Sequence, residues 1–112
     1  MPLEISKKDR ITVITILQPT LEVNNVPALW DEIEPILPNT VQLVIDLSRV
    51  EFIDSTGFGI FLNCVKRLGG RNGELKICGL SDKLAALFRL MAFERLVGIH
   101  KTSEEAIAAF EE

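Results

Sequence analysis

The chain has 112 residues, of which 47% are hydrophobic, and its formal net charge is −4. The length predicts one domain over residues 1–112, and the hydrophobic content is enough for a packed core and excludes wholesale disorder. No basic run exceeds two residues, as at Lys7-Lys8, no apolar run reaches membrane-spanning length, and the N-terminus MPLEISKKDR lacks an apolar signal segment. The sequence therefore argues against direct nucleic-acid binding, a membrane span and export, and predicts a cytoplasmic protein.

The first third of the chain predicts a hairpin and a helix. Alternating apolar and polar residues at 3–6 indicate an edge strand, and the β-branched run at 11–17 indicates a second strand that pairs with it antiparallel across a short turn. Pro19 ends this strand. A helix over 26–37 is predicted to follow, with Asn25 as its cap, Pro35 shortening or kinking its last turn and Pro38 closing it.

The remaining two thirds alternate strands with helices. Strands are predicted at 41–47, 75–78 and 97–100, and helices at 56–68, 82–91 and 103–110. Ser81 or Asp82 is expected to cap the third helix, and Thr102 or Ser103 the fourth. Because helices connect the central strands, those strands should be parallel. The sequence therefore predicts an α/β domain with a mixed sheet of four or five strands, an N-terminal antiparallel hairpin and about four helices.

Asp54, Ser55 and Thr56 stand together at the start of the second helix, directly after an apolar segment. This is where α/β proteins commonly keep functional groups. A plain helix cap is one interpretation, since these residue types satisfy free backbone N–H groups. A cap needs only one such residue, however, and the loop supplies three.

Enzymatic interpretations of this loop fit poorly. A dinucleotide-binding G-x-G-x-x-G pattern would begin with Gly57 and Gly59, but Leu62 holds the third position, and the sequence has no P-loop. A nucleophile elbow would need glycine where Ile53 stands, and its base could only be His100, the single histidine. We expect no catalytic residue in this chain.

Cys64 and Cys78 lie in separate apolar segments with no third metal ligand in their vicinity. They are predicted to be buried, reduced cysteines rather than a metal site or a disulfide. No metal and no cofactor are expected.

The second helix is more apolar than a helix on a core requires. Its apolar residues cover about 200° of the helix surface, whereas about 100° suffices to face a core. They are Phe58, Ile60, Phe61, Leu62, Cys64, Val65 and Leu68. Part of this arc is therefore expected to be exposed for a partner, with Gly59 leaving open space one turn beyond Ser55. The alternative is a helix buried by neighbours on both sides.

The segment "IDLSRVEFIDSTGFGIFL" resembles the signature of the STAS domain, and specifically that of stand-alone anti-sigma factor antagonists. In that family a strand ending in a D-L-S-x-V-like stretch leads into D-S-[ST]-G-L-G, which corresponds to 46–50 and 54–59 here, with Phe58 at the leucine position. The likeness continues through "LKICGLSDKLAALFRLMAFERLVGIHKTSEEAIAAF" and so covers nearly the whole chain.

The resemblance implies a protein that is a substrate and not an enzyme. The unmodified antagonist binds an anti-sigma factor that is also a serine kinase, the kinase phosphorylates the antagonist and so releases it, and a phosphatase resets the cycle. The phosphorylated hydroxyl follows the signature aspartate, which places it on Ser55. The residues expected to bind the partner are Glu22, Asp54, Ser55, Thr56, Gly57, Phe58, Gly59 and Leu62.

One segment departs from the family pattern. Many members carry G-x-[LI]-D before the first helix, with the acid implicated in partner contact, and here the segment is Pro19-Thr20-Leu21-Glu22. Glu22 keeps the acidic group on a longer side chain, and Pro19 in place of glycine makes the turn stiffer. The alternative function is a STAS scaffold or sensor subunit of a signalling or transporter complex in which Ser55 is not phosphorylated.

Overall fold

The computed structural model describes residues 2–111 as seven strands and four α-helices. The strands are β1 (Leu3–Lys8), β2 (Ile11–Ile16), β3 (Thr20–Leu21), β4 (Gln42–Asp46), β5 (Phe52–Ile53), β6 (Glu74–Cys78) and β7 (Gly98–His100). The helices are α1 (Val26–Ile33), α2 (Ser55–Gly69), α3 (Asp82–Leu90) and α4 (Ser103–Phe110). Two short 3₁₀ helices span Glu34–Asn39 and Phe93–Arg95.

Five strands form one mixed sheet in the order β1-β2-β4-β6-β7. β1 and β2 pair antiparallel, and every other neighbouring pair is parallel. This confirms the predicted α/β fold with its N-terminal hairpin. The structure adds a second sheet that the sequence did not predict, in which β3 and β5 pair parallel over two residues each.

The sheet separates two apolar cores, because alternate strand residues point to opposite faces. On one face Ile14, Ile45 and Ile77 pack with α1, α2 and α3 in the larger core. On the other face Val13, Val44 and Cys78 pack against Ala106 of α4. Three helices therefore cover one face and α4 alone covers the other.

α1 is shorter than the predicted helix over 26–37. It ends at Ile33, and the chain continues as the 3₁₀ helix that contains Pro35 and Pro38. A proline nitrogen has no hydrogen to donate, so it cannot continue the α-helical hydrogen-bond pattern.

Asn25 does not cap α1 with its side chain, and that prediction was wrong. Its Oδ1 accepts the Glu22 N–H at 2.9 Å and its Nδ2 donates to the Thr20 carbonyl at 2.8 Å. Asn25 thus stabilises the loop before the helix. Ser81 and Thr102 do cap α3 and α4, accepting the amides of Leu84 and Glu105.

Cys64 and Cys78 are both free and buried. They belong to the two different cores, so the sheet lies between them. Burial raises the pKa of each thiol to about 12, which keeps both in the unreactive thiol form.

Candidate functional site

The N-terminus of α2 rests on the two-stranded sheet of β3 and β5. The Asp54 N–H donates to the Leu21 carbonyl at 3.0 Å, which fixes the turn into the helix. Gly57 lies against this small sheet. A Cβ at Gly57 would come within 2.7 Å of both the Leu21 carbonyl oxygen and Ile53 Cγ2. Glycine is required at Gly57 because the helix backbone approaches the β3 backbone too closely for a side chain.

Asp54 is the N-cap of α2 and links it to the loop before α1. Its Oδ1 accepts the Thr56 hydroxyl at 2.5 Å and the Gly57 N–H at 3.0 Å, and its Oδ2 accepts the Val23 N–H at 3.0 Å. The hydrogen bond from the Thr56 hydroxyl, followed by that from the Gly57 N–H, lowers the pKa of Asp54 below its ordinary value of 3.8. The carboxylate therefore holds two segments of the site together.

The hydroxyl groups of Ser55 and Thr56, which follow Asp54, differ in their hydrogen bonding. The Thr56 hydroxyl donates to Asp54, whereas Ser55 is exposed and its hydroxyl forms no hydrogen bond with any residue from 2 to 111. Ser55 is also the first residue of α2, where unpaired backbone N–H groups favour a negative charge. Of the two hydroxyls, Ser55 is the more available for modification.

Phe58 does not lie on the surface, as its predicted contact with a partner would require. Its side chain is 3% exposed and packs 5.0 Å from the Phe88 ring and 5.3 Å from the Phe93 ring, between centroids. Gly57 is buried as well. Phe58, Phe88 and Phe93 cluster because α2 is flanked by neighbours on both sides. The sequence had left this arrangement open as the alternative explanation of the wide apolar arc.

Two predicted features of α2 do lie on the surface. A Cβ at Gly59 would meet no atom within 4 Å, and Leu62 is 40% exposed. Glu22 is half-buried in the loop that Asp54 holds, one residue before Val23. The structure thus brings Glu22 to the N-terminal end of α2, where Asp54, Ser55 and Thr56 lie.

Two exposed apolar residues beside Asp54 were not predicted. Val23 is 68% exposed and donates its N–H to Asp54, and Phe52 is 43% exposed in β5, two residues before Asp54. The exposed Phe52 beside the buried Ile53 is a strand alternation, but two residues are too few to reveal it. We call the following set the Ser55 surface: Glu22, Val23, Phe52, Asp54, Ser55, Thr56, Gly59 and Leu62.

His100 is not positioned to activate Ser55. It lies on β7 and pairs in register with Cys78, whose side chain belongs to the core under α4. α2 packs on the opposite face of the sheet. A serine hydrolase requires a hydrogen bond between the nucleophile and its base, and no such bond joins Ser55 to His100.

The STAS domain matches residues 2–106 of this chain. The chain belongs to the STAS domain family. A relative, the anti-sigma-B factor antagonist of Staphylococcus aureus strain NCTC 8325, is 32% identical over 85 residues, which cover 75% of this chain and 79% of that protein.

Solved structures share the fold of this STAS domain. An anti-sigma factor antagonist from Mycobacterium paratuberculosis superposes with a TM-score of 0.87 at 22% identity, covering 98% of this chain and 93% of the other. The Bacillus cell fate determinant SpoIIAA in its phosphorylated form superposes with a TM-score of 0.73 at 19% identity, covering 96% and 98%. Within residues 2–111 no helix is long and apolar enough to cross a membrane.

Proposed function

We propose that this STAS domain is a phospho-switched anti-sigma factor antagonist. The unphosphorylated form binds an anti-sigma factor that is also a serine kinase, which frees a sigma factor. Phosphorylation of Ser55 reverses the binding, and a phosphatase restores the active form. The observation that carries the proposal is the exposed, unengaged Ser55 hydroxyl at the N-terminus of α2. The Staphylococcus relative is named an anti-sigma-B factor antagonist, and the similar structure of SpoIIAA is of a phosphorylated form, which supports the proposal.

The choice of Ser55 over Thr56 follows from hydrogen bonding. Transfer of a phosphoryl group to Thr56 would replace the proton that its hydroxyl donates to Asp54 at 2.5 Å. The phosphate would then face the carboxylate across that short contact and repel it. Ser55 has no such bond to lose, and the first-turn amides of α2 favour a negative charge there.

Release of the partner follows from charge and desolvation. A phosphate adds about −1.5 to −2 charge next to Asp54 in the sequence, and the Ser55 surface also exposes the apolar side chains of Val23, Phe52 and Leu62. A partner that covers these apolar groups would have to desolvate both charges. The fold itself tolerates the phosphate, because Ser55 is exposed at a helix N-terminus.

The test is incubation with the cognate kinase and ATP, followed by mass mapping of the modified residue. We expect one phosphate on Ser55, none on Ser55→Ala and normal phosphorylation of Thr56→Ala, whose Asp54 cap still accepts the Gly57 N–H. The phosphorylated protein should no longer bind the kinase. A Ser55→Ala protein that is phosphorylated at the parental rate contradicts the proposed site, and binding that ATP leaves unchanged favours the scaffold alternative.

A second experiment maps the interface with two glycines of α2. Cβ atoms at Gly59 and at Gly69 would each meet open space, so arginine should fit at either position without loss of stability. Gly59→Arg places its side chain one turn beyond Ser55 and should weaken kinase binding at least tenfold. Gly69→Arg, at the other end of the helix, is the control and should bind like the parent. Parental binding by a folded Gly59→Arg protein would remove this face from the interface.

A further inference from the structure

β1 is an edge strand, and no other strand within residues 2–111 pairs with its outer side. It is the outermost strand of the sheet, and five of its six residues are exposed. The Leu17 N–H donates to the Pro2 carbonyl at 2.8 Å, which extends the register of the β1–β2 pair by one residue. Successive residues of a strand direct their backbone N–H and C=O groups to opposite sides. Leu3, Ile5 and Lys7 therefore direct these groups away from β2.

The charges along β1 are self-complementary. We propose that β1 pairs antiparallel with β1 of a second copy of this chain around a twofold axis through Ser6. This register sets Glu4 opposite Lys8 of the second copy, and the symmetry repeats that pair. It also sets Ile5 opposite Lys7 of the second copy, so that their outward backbone groups can hydrogen-bond.

A second charge contact supports the same register. An open groove beside β1 is lined by Leu3, Ile5 and Leu17, with Glu32 of α1 also on its wall. Lys7 of the second copy would lie on this side of the sheet, opposite Ile5. Its aliphatic stem would cover Ile5, which is 48% exposed, and its ammonium group would point toward Glu32.

The neighbouring register is less favourable. An axis through Ile5 would set Glu4 opposite Ser6 and Lys7 opposite Leu3, which leaves the charges without direct partners. Among residues 2–111, the one ion pair of Lys8 is a 3.9 Å contact with Glu111 between exposed side chains, which contributes little. Charge therefore selects the axis through Ser6.

The resulting interface is small. Pairing of one edge strand buries less than the roughly 1,200 Å² of a typical stable complex, so the dimer should be weak and form at high protein concentration. None of the residues of the Ser55 surface belongs to β1. The dimer is therefore independent of the proposed function, and each can fail without the other.

Charge reversal tests the pairing through sedimentation equilibrium and native mass spectrometry. Glu4→Lys and Lys8→Glu each create two repulsive pairs and should weaken the dimer at least tenfold. An equimolar mixture of the two variants should form a heterodimer, because both of its cross-strand pairs are again opposite in charge. Lys83→Glu, an equal charge change at an exposed position on α3, is the control and should dimerise like the parent.

Cross-linking tests the register. Two residues on the axis at a non-hydrogen-bonded position lie about 4.5 Å apart between Cα atoms, within disulfide range. Ser6→Cys should therefore form a disulfide dimer under mild oxidation, while the buried Cys64 and Cys78 do not react. Glu4→Cys is the control, since two copies of that position would be roughly 13 Å apart. A parent that stays monomeric, a mixture that does not associate, or equal cross-linking of both variants would overturn the proposal.

Discussion

Gly57 and Gly59 are two residues apart on α2, yet their surroundings are opposite. A Cβ at Gly57 would clash with Leu21 and Ile53, whereas a Cβ at Gly59 would meet nothing within 4 Å. Gly57 therefore serves close packing, and Gly59 leaves a gap on the outer face of the helix. Sequence alone presents two glycines in one motif and does not distinguish these roles.

Replacing each glycine with alanine should separate the two roles. Gly57→Ala should lower the free energy of unfolding by about 1–3 kcal/mol, because β3 or the helix must shift to make room. Gly59→Ala should raise it by about 0.5–1 kcal/mol, because alanine is the better helix former. Urea unfolding of both variants and the parent measures the difference. Equal stability of Gly57→Ala and the parent would refute the close contact.

Asp54 should make a pH-dependent contribution to stability. Its pKa is lowered in the folded protein, so its contribution is complete above its ordinary pKa of 3.8 and is lost as the pH falls through the lower folded value. The stability difference between the parent and Asp54→Asn should be constant near neutral pH and change only in acid. Thermal unfolding across this range tests it, and a titration of Asp54 by NMR with a pKa above 3.8 would contradict it.

At the scale of elements, α2 contributes to both the core and the surface. The sequence correctly predicted its position and its excess of apolar residues. It could not show which of those residues face the core and which face solvent, because nothing in the apolar arc indicates where α3 packs. Phe58 was therefore predicted to bind the partner, although it packs against Phe88 and Phe93. Leu62, in the same arc, is 40% exposed.

Alanine substitutions in α2 should reflect this division. Phe58→Ala removes a buried ring and should cost about 3–5 kcal/mol of unfolding free energy. Leu62→Ala should cost only about 0.5 kcal/mol, as is usual for surface substitutions, and should weaken kinase binding. Chemical unfolding of both variants provides the comparison. Similar costs for the two would mean that the exposure of Leu62 or the burial of Phe58 is misassigned.

For the whole molecule, the order of strands and helices was predictable because long elements carry clear hydrophobic periods. The strand runs at 11–17 and 41–47 and all four helices were found in this way. The small sheet of β3 and β5 was not, since two-residue strands have no period to detect. Asn25 was misassigned because an Asn side chain can hydrogen-bond the preceding loop as readily as a helix. The unpredicted Val23 and Phe52 lie beside Asp54, so the missed elements belong to the site.

Three helices cover one face of the sheet and one helix covers the other, and this difference should be measurable as a difference in thiol reactivity. α4 alone covers Cys78, while Cys64 lies in the larger core. Ala106→Asp buries a charge beneath α4 and should detach this helix more readily than it unfolds the domain. Cys78 should then react with a thiol reagent at least tenfold faster while Cys64 stays protected. Equal acceleration of both thiols would indicate global unfolding instead.

The hydrogen bond between Val23 and Asp54 also bears on the thermodynamics of association. This bond, together with the bond from the Phe52 N–H to the Pro19 carbonyl, holds the loop and β5 in place before any partner arrives. The surface is therefore preorganised, and binding should lose little conformational entropy. Calorimetry should give a negative heat-capacity change that matches the apolar area covered, without the larger value that accompanies folding of a disordered segment on its partner.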